Sequence, residues 1–279
     1  MVSVQEYVQK LFSLQGETAV VTGGSGQLGK ALALALALAG AKVVVMGRRL
    51  EPCQQVAEAI RAADGQALAV ACDVLDRAAL ERAAEEIASA FGPVDILVNG
   101  AGGNQSQATT TAERTFFDLE LQTVEQVMAG NFSDTFQCCQ VFGRAMAERG
   151  QGCIVNIASM SGIRPLTRVP AYSAAKAALA NFTQWLAVYM AQEYSPHIRV
   201  NALAPGFFLT EQNRYLLLEA ETGEPTPRTQ SILAHTPMGR LGMPDDLPGT
   251  LLWLVSPAAA FVTGIVVPVD GGFSAFGGV

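Results

Sequence analysis

The chain of 279 residues is half hydrophobic and 15% charged, with a formal net charge of −7. This length suffices for one large hydrophobic core, and the excess of acidic residues argues against binding to the phosphate backbone of a nucleic acid. Because no signal peptide is visible and the most apolar run, Ala31–Ala41, is too short to span a bilayer, we predict a cytoplasmic protein without membrane contact.

Seven apolar segments have the composition of β-strands, and they begin at residues 18, 41, 67, 94, 152, 198 and 264. Helix-like segments alternate with them, and we place these helices at Ala31–Ala41, Glu51–Ala63, Asp76–Phe91, Thr123–Arg149 and Ala171–Tyr194. Strands that are joined by helices form parallel sheets, and strands without a polar face are covered on both sides. The sequence therefore predicts a single α/β domain over 1–279, a Rossmann-like, doubly wound sheet of about seven parallel strands with helices on both faces.

The first strand runs into a glycine-rich turn, TGGSGQLG, at Thr22–Gly29. Glycines 24, 26 and 29 match the general dinucleotide fingerprint G-x-G-x-x-G. A second spacing, G-x-x-x-G-x-G, fits Gly23 and Gly29 but has Gln27 at its middle glycine. Either register predicts a phosphate-binding turn at a helix N-terminus. The helix that follows is apolar on every side, so we expect it to be buried.

The alternation of strands and helices stops after Gly206 and does not resume before about Leu241. Within this interval the stretch EAETGEPTPRTQ is polar and rich in turn residues. A long segment at the carboxyl end of a strand is typical of a substrate lid. We predict a lid over 207–241, with a passive surface insertion as the alternative.

The cysteines and histidines do not favour a metal site. None of the five cysteines forms a C-x-x-C pair, and the chain has only two histidines. Structural zinc sites need four such ligands in a cluster. We therefore predict no metal and interpret the cysteines as small buried hydrophobic residues.

Tyr172 and Lys176 stand four residues apart in AYSAAK, inside a helix-like segment. This spacing places both side chains on one face of the helix. A tyrosine is a poor base at neutral pH, and a nearby ammonium favours its phenolate. Ser159 ends a predicted strand thirteen residues before Tyr172, where its hydroxyl can donate a hydrogen bond to a substrate carbonyl.

These residues are identified as those of the short-chain dehydrogenase/reductase family, which the chain resembles over nearly its whole length. The motifs TGGSGQLG, CDV, NGAG, Asn131, Ser159, YSAAK, APG and VDGG occur in the order and spacing of that family. The resemblance implies that Tyr172 is the general acid/base, that Lys176 lowers its pKa and holds the nicotinamide ribose, and that Ser159 positions the carbonyl. It also implies that Asn131 holds a water that links Lys176 to solvent.

The resemblance assigns the other motifs to a nicotinamide cofactor. Asp73 would bond the adenine amino group, or would instead cap the following helix. Asn99 would brace the central strands, while Gly100, where many relatives have a second Asn, and Ala101 would allow close approach of the cofactor. The backbone of 205–210 would bind the carboxamide. The implied cofactor contacts are Gly23, Ser25, Gln27, Leu28, Gly29, Arg48, Asp73, Val74, Asn99, Gly100, Ala101, Tyr172, Lys176, Pro205, Gly206, Phe208 and Thr210.

The end of the second strand bears on the choice of cofactor. NAD-binding relatives carry an Asp there that bonds the ribose 2′-hydroxyl, whereas this chain has Gly47 followed by Arg48 and Arg49. No carboxylate would repel a 2′-phosphate, and guanidinium groups bind phosphate well. We therefore prefer NADP(H), with NAD(H) possible if both arginines are merely solvated.

Longer stretches resemble the D-mannonate oxidoreductase (fructuronate reductase) branch, among them APGFFLTEQNRYLLL and AHTPMGRLGMPDDLPG. That branch reduces the keto group of D-fructuronate to D-mannonate. A sugar acid needs a guanidinium or amide partner for its carboxylate, and we assign Arg164 and Asn213 to this role. Other polar residues expected near the crevice are Asn104, Gln105, Arg168, Gln212, Arg214 and His235.

Two alternatives remain open at this point. The chain could reduce another carbonyl, as in enzymes of the gluconate 5-dehydrogenase, 3-ketoacyl or steroid type, or it could be a non-catalytic cofactor sensor.

Relatives are often tetrameric. We predict a homotetramer, with close helix approach allowed by the small residues Ala174, Ala175 and Ala178.

Overall fold

A computed structural model describes residues 3–210 and 213–278. The strands are β1 (Thr18–Thr22), β2 (Lys42–Gly47), β3 (Gln66–Ala71), β4 (Ile96–Asn99), β5 (Gly152–Ile157), β6 (Ile198–Pro205) and β7 (Val266–Val269). The helices are α1 (Val4–Phe12), α2 (Gln27–Leu38), α3 (Leu50–Ala62), α4 (Arg77–Phe91), α5 (Leu121–Met128), α6 (Asp134–Arg149), α7 (Pro170–Glu193), α8 (Arg214–Leu217), α9 (Pro227–Ala234) and α10 (Pro248–Val255).

The strands form one parallel sheet in the order β3-β2-β1-β4-β5-β6-β7. The chain starts in the middle, winds outward to β3, and returns to place β4 on the other side of β1. In such sheets ligands bind at the carboxyl ends of the strands where the order reverses. There, Thr22 of β1 lies beside Asn99 of β4. The predicted fold class is confirmed, and the glycine turn and the NGAG motif share this crevice.

Helices cover both faces of the sheet, which explains why the strands are apolar throughout. In β2, Val43 and Val45 face one hydrophobic cluster together with α2, α3 and α10. Val44 and Met46 face the opposite cluster with α4, α6 and α7. All four of these side chains are fully buried. All five cysteines are free and buried, as predicted.

One helix was not predicted, and another is less buried than expected. We did not predict α1, although Ser3 and Glu6 form a capping box at its start that the spacing S-x-x-E announces. The helix α2 was expected to be buried on all sides, but Leu38 is 75% exposed. Leu32 and Leu36 are fully buried, because α2 packs on β1 and β2 beside α10 and turns only one face inward.

The predicted helix Thr123–Arg149 is divided in two. Helices α5 and α6 are separated by one turn of π-helix, Ala129–Ser133, which contains Asn131. A π turn inserts an extra residue into the helical ladder and is frequent at functional sites. Within the described part of the chain, none of the helices combines the length and hydrophobicity that crossing a bilayer requires.

Candidate active site

The glycine turn after β1 is built by contacts that only glycine permits. Gly23 has a φ of +65°, and a Cβ there would lie 2.6 Å from the Gly100 carbonyl oxygen. A Cβ on Gly29 would collide with the Gly23 carbonyl oxygen, so α2 packs directly on the turn. Gly24 is similarly tight against β1 and β2, where a Cβ would meet the Val21 carbonyl oxygen at 2.8 Å.

Gly26 is the glycine that faces open space. A Cβ at Gly26 would meet only the Gly23 carbonyl oxygen, at 3.4 Å. Gly26 is the N-cap of α2. Because glycine has no side chain, the N-cap residue offers no side-chain hydrogen bond to the first N–H groups of the helix. A helix N-terminus of this kind attracts anionic groups. This cradle fits the pyrophosphate of a dinucleotide, with exposed Gln27 at the first helical position and Leu28 partly buried behind it.

Thr22 connects the turn to the NGAG motif, a role that we did not predict. Its hydroxyl accepts hydrogen bonds from the backbone N–H groups of Gly100 at 3.1 Å and Ala101 at 3.2 Å. A Cβ at Gly100 would lie 2.8 Å from the Thr22 carbonyl oxygen. The two loops that frame the crevice are therefore fixed relative to each other by one buried threonine.

Asn99 joins the central strands through its side chain. Its Nδ2 donates to Asn156 Oδ1 of β5 at 2.9 Å and contacts Cys139 Sγ at 3.4 Å. Asn156 in turn donates to Thr183 Oγ1 on α7, so one chain of hydrogen bonds runs from β4 to the helix that carries Tyr172. The structure thus shows the bracing contact expected for Asn99.

At the end of β2, Gly47 lies close to two small polar side chains. A Cβ there would lie 3.0 Å from Cys53 Sγ and 3.3 Å from the Ser25 hydroxyl, which hydrogen-bonds the Cys53 thiol. Arg48 and Arg49 follow directly and are both exposed. The loop after β2 therefore carries two solvent-facing guanidinium groups.

Asp73 is not the cap of the following helix. Asp76 is the N-cap of α4, and its carboxylate accepts from the N–H groups of Ala78 and Ala79. The exposed Asp73 accepts only the Leu75 N–H within its own turn, at 3.1 Å, and Val74 beside it is buried. The capping alternative is thereby excluded, and the carboxylate of Asp73 stays accessible beyond β3.

Ser159, Tyr172 and Lys176 come together beyond the end of β5. Ser159 is 8% exposed, its hydroxyl accepts the Ser161 N–H at 3.1 Å, and it also interacts with the Tyr172 hydroxyl. Lys176 is 4% exposed, and its Nζ donates to the Ile157 carbonyl at 2.8 Å and lies 5.7 Å from the centre of the Tyr172 ring. An acid, a cation and a hydroxyl donor thus face one point of the crevice.

The pKa of Tyr172 differs from our expectation. Burial raises the pKa of its hydroxyl above the usual range, and the bond with Ser159 offsets part of this rise. The Lys176 ammonium donates to the Ile157 carbonyl, and burial is the larger of the two effects on the pKa of Tyr172. Tyr172 accordingly keeps its proton at neutral pH, as a general acid must.

Asn131 is buried in the π turn, and its amide is fully engaged with the backbone. Nδ2 donates to the carbonyl oxygens of Gly103 at 2.7 Å and Val127 at 2.8 Å, while Oδ1 accepts the Gly103 N–H at 3.0 Å. The side chain therefore holds the loop after NGAG against the π turn. Only the second lone pair of Oδ1 is left for the predicted water, so that role stays a prediction.

Asp134, which our sequence reasoning passed over, is a buried acid beside this group. It is 2% exposed and accepts the Thr135 N–H at 2.6 Å. Burial raises the pKa of Asp134 to about 6 and lowers the pKa of Lys176 to about 8, and the opposite charges of the two groups counter both shifts. The signal in the sequence was an acid one helical turn after Asn131.

The segment after β6 is held against the rest of the fold. A Cβ on Gly206 would lie 2.6 Å from Asp270 Cβ, and the buried Phe208 forms a bridge with Gly242. Asn213 closes the following turn, since its Oδ1 accepts the Thr210 N–H and its Nδ2 donates to the Phe208 carbonyl, each at 2.8 Å. Its amide positions the backbone beyond Pro205, and its assignment to the substrate stays a prediction.

Arg164 lies on the other rim of the crevice, and it contacts the C-terminal part of the chain. Its guanidinium donates to the Phe276 carbonyl at 3.3 Å and is exposed. His235, at the end of α9, lies with its ring 6.1 Å from that of Phe276. The Ser159–Tyr172 loop and the end of α9 thus both contact the C-terminal residues. Gln212, which was also expected near the crevice, lies outside the described residues.

Comparison with known proteins decides the family. The model of the short chain dehydrogenase family matches residues 17–220, which is most of the chain. The chain belongs to this family. Its fold is that of a short-chain dehydrogenase, and the chain is an oxidoreductase of the NAD(P)-dependent kind.

Three similar proteins show which oxidoreductases the chain resembles. An uncharacterized oxidoreductase, UxuB, of Bacillus subtilis is 50% identical over 96% of this chain and 98% of its own length. The structure of a candidate D-mannonate oxidoreductase from Haemophilus influenzae with bound NAD is 41% identical, with a TM-score of 0.91 over 98% of this chain and 100% of that one. A candidate NAD(P)-dependent gluconate 5-dehydrogenase from Beutenbergia cavernae with bound NADP is 37% identical, with a TM-score of 0.83 over 95% and 99%.

Proposed function

We propose that this short-chain dehydrogenase is an NADP(H)-dependent reductase of keto-sugar acids that converts D-fructuronate to D-mannonate. The observation that carries the proposal is the convergence of Ser159, Tyr172 and Lys176 on one point of a crevice whose rim is polar and arginine-rich. The likeness to a candidate D-mannonate oxidoreductase, over the whole of both chains, supports the choice of substrate.

The residues of the site divide the chemistry among them. The reduced nicotinamide, when bound, supplies a hydride to the keto carbon. Ser159 donates its hydroxyl hydrogen bond to the keto oxygen, which fixes the carbonyl and stabilises the charge that develops on it. Tyr172 gives its proton to that oxygen as the alcohol forms, and the raised pKa keeps this proton available. Lys176 keeps a cation next to the phenolate that results, which favours the charged form.

Asn131 and Asp134 complete the proposed proton route. Asn131 holds the loop after NGAG and offers its remaining lone pair to a water near Lys176. Asp134 acts through Lys176, because its carboxylate raises the pKa of that ammonium. The proton that Tyr172 has given away would then be replaced from solvent through this side of the site.

NADP(H) is the preferred cofactor in this proposal. Arg48 and Arg49 are exposed next to Gly47, and residue 47 has no acidic side chain that could bond a free ribose 2′-hydroxyl. Among the similar proteins, one holds NAD and another NADP, so both cofactors are compatible with this scaffold. The implied contacts of Asp73, Val74 and the 205–210 backbone are part of the same proposal.

A second candidate is a reductase of the gluconate 5-dehydrogenase type. It is favoured by the likeness to the Beutenbergia cavernae structure and would use the same catalytic group on a different sugar acid. The 207–241 segment, which we propose is a lid, is polar in either case. Lipid-like ketones and a non-catalytic role fit less well, since the catalytic residues are complete and the rim is charged.

We further propose a homotetramer. A ladder of aromatic rings runs along α6 and α7, in which Phe182, Trp185 and Tyr189 stack at 6.2 and 4.9 Å. Trp185 is 55% exposed, and Val188 and Tyr194 beside it are also exposed, so an apolar stripe faces outward. This stripe differs from the predicted small-residue face, because Ala175 is buried inside the subunit.

The proposed function is tested by a reductase assay with fructuronate, tagaturonate and 5-ketogluconate, each with NADPH and with NADH. We expect the highest kcat/KM for fructuronate with NADPH. Activity confined to 5-ketogluconate would favour the second candidate. No turnover of any keto-sugar acid would overturn both candidates while leaving the fold and the family intact.

A further inference from the structure

The last strand of the sheet runs into a short turn at residues 270–276, which we call the C-terminal turn. The Asp270 carboxylate accepts the N–H groups of Gly272 at 2.9 Å and Ser274 at 2.8 Å. Gly271 and Gly272 have φ values of +63° and +89°, which glycine adopts far more readily than other residues. The C-terminal turn therefore has one defined conformation, which its own residues set.

Ring contacts hold the C-terminal turn against two other parts of the chain. The ring of Phe273 packs edge-on against that of Phe207, with the ring centres 5.2 Å apart. The ring of Phe276 packs in the same way against that of His235, at 6.1 Å. Edge-on pairs of aromatic rings stabilise a contact beyond the burial of their area. The backbone of Phe276 is therefore held in place from outside the turn as well.

The C-terminal turn lies at the same edge of the sheet as the catalytic group. The strands β5, β6 and β7 are neighbours and parallel, and since adjacent strands lie about 4.8 Å apart, the ends of β5 and β7 are separated by about 10 Å across the sheet. Ser159 follows β5, and the C-terminal turn follows β7. Gly206 follows β6 between them, and a Cβ there would lie 2.6 Å from Asp270 Cβ. The C-terminal turn therefore borders the crevice that Ser159 faces.

Arg164 connects the catalytic turn with the C-terminal turn. The Gly162 N–H donates to the Ser159 carbonyl at 2.9 Å and the Arg164 N–H to the Met160 carbonyl at 2.8 Å, so Arg164 stands one turn beyond Ser159. Its guanidinium donates to the Phe276 carbonyl at 3.3 Å. The side chain thus extends from the β5 side of the crevice to the β7 side and is fixed at both ends.

The charge of Arg164 is not neutralised by an acid within the part of the chain that the structure describes. The ion pairs found there are Arg77–Glu81, Arg149–Asp95 and Arg240–Asp246. A guanidinium has five N–H donors, and the bond with the Phe276 carbonyl occupies one. The others suit a carboxylate, which a guanidinium binds with two parallel hydrogen bonds. A side chain that is already fixed loses less freedom when it binds such a ligand.

We propose that the C-terminal turn is part of the substrate site, where it positions Arg164 to bind the carboxylate of a keto-sugar acid. This assignment rests on the proposed function. The keto group of the substrate lies at Ser159 and Tyr172, and its acid group, at the other end of the carbon chain, lies toward the C-terminal turn. In this arrangement Arg164 selects acids over neutral ketoses, and Phe276 is its positioning residue.

The carboxylate contact is tested with Arg164→Gln, assayed with fructuronate and with fructose, its neutral counterpart. We expect the KM for fructuronate to rise about tenfold to a hundredfold, as the loss of a charge-assisted hydrogen bond predicts. The kcat, the KM for NADPH and the KM for any fructose turnover should change little, because the lost contact is equally strong before and during the reaction. Arg82→Gln, which removes an exposed guanidinium from α4, is the matched control.

The positioning role is tested with Phe276→Ala and with the double variant Arg164→Gln/Phe276→Ala. We expect Phe276→Ala alone to raise the KM for fructuronate about threefold to tenfold, because the carbonyl that holds Arg164 loses the anchor of its ring. In the double variant the KM should equal that of Arg164→Gln, since Phe276 acts only through Arg164. A purely structural residue would instead change the KM by the same factor in both backgrounds. Phe261→Ala, which truncates a fully exposed ring in the segment before β7, is the matched control.

The outcomes separate this assignment from the proposed function. If the wild type reduces fructuronate and Arg164→Gln keeps its KM within about twofold of the Arg82→Gln control, the carboxylate assignment is wrong and the function stands. If the effects of Arg164→Gln and Phe276→Ala multiply, the C-terminal turn does not act through Arg164 and the positioning role is overturned. If the wild type reduces no keto-sugar acid, the proposed function fails. Calorimetric titration with D-mannonate in the presence of oxidised cofactor then decides: weaker binding by Arg164→Gln supports the assignment, and equal or no binding overturns it.

Discussion

The buried carboxylate of Asp134 acts on the buried ammonium of Lys176 from a separate helix, at a distance greater than that of a direct ion pair. Asp134 begins α6 directly after the π turn, and Lys176 lies in α7 one helical turn after Tyr172. A buried acid costs stability unless it is paired, so its presence calls for a functional reason. The reason we infer is that Asp134 keeps Lys176 charged.

Replacing this acid should change the pH dependence of stability. The pKa of Asp134 is about 6 in the folded chain and about 4 when unfolded, so between these values the folded state keeps a proton that the unfolded state has lost. Asp134 therefore does not lower the free energy of unfolding below pH ~4. As the pH rises past ~6, it lowers that free energy by about 3 kcal/mol. We expect Asp134→Asn to remove much of this loss, as measured by urea unfolding at pH 4 and pH 7.

The matched control for this prediction is Asp64→Asn, which changes an exposed acid in the same way. Asp134→Asn should also shift the alkaline limb of the kcat profile to lower pH, because the pKa of Lys176, about 8 with the carboxylate present, falls without it. Equal pH dependence of unfolding in the wild type and in both variants would show that folding does not raise the pKa of Asp134.

Tyr172→Phe should remove the proton donor and leave the pocket intact. We expect kcat to fall by about 10²- to 10⁴-fold, the usual contribution of a general acid, with the melting temperature and the KM nearly unchanged. Tyr189→Phe, which deletes a hydroxyl from the exposed side of the same helix, should retain full activity. Survival of wild-type turnover in a folded Tyr172→Phe enzyme would refute the proposed mechanism.

The cofactor preference depends on Arg48 and Arg49. The double variant Arg48→Gln/Arg49→Gln should raise the KM for NADPH about tenfold or more, because charge-assisted bonds to the 2′-phosphate are lost. The KM for NADH should not change, since that cofactor has no 2′-phosphate. Steady-state kinetics with each cofactor give the ratio of the KM for NADPH to the KM for NADH. A wild type that already prefers NADH would contradict the assignment.

The aromatic stripe on α7 should hold the assembly together. Trp185→Glu places a charge in the middle of the stripe, and we expect it to reduce the particle mass measured by light scattering at micromolar concentration. Leu38→Glu introduces the same charge at a 75%-exposed leucine on α2 and should leave the mass unchanged. A wild-type protein that is already monomeric would overturn the proposed tetramer.

The sheet and its catalytic end could be predicted because their signals are local. Apolar runs such as residues 43–46 predict strands, and Tyr172 and Lys176 share a helix face by spacing alone. The π turn was missed, since the hydrophobic pattern of 123–149 continues through it and the extra residue shows only in the hydrogen bonds. The capping box of α1 was legible in Ser3 and Glu6 and was overlooked.

Long-range relations were out of reach. The side chain of Asn213 hydrogen-bonds the backbone of the turn at Thr210. This depends on the direction of the side chain, which the residue type does not reveal. The raised pKa of Tyr172 likewise follows from burial, which a sequence pattern cannot measure.

The most direct test of the whole account is the chemical identification of the product formed from fructuronate and NADPH by the purified wild-type enzyme. We predict D-mannonate, with one NADPH oxidised for each molecule formed, and formation of the same product about 10²- to 10⁴-fold more slowly by the Tyr172→Phe variant. Formation of the epimeric acid, or the absence of any product from fructuronate under conditions in which the enzyme reduces another carbonyl compound, would contradict it.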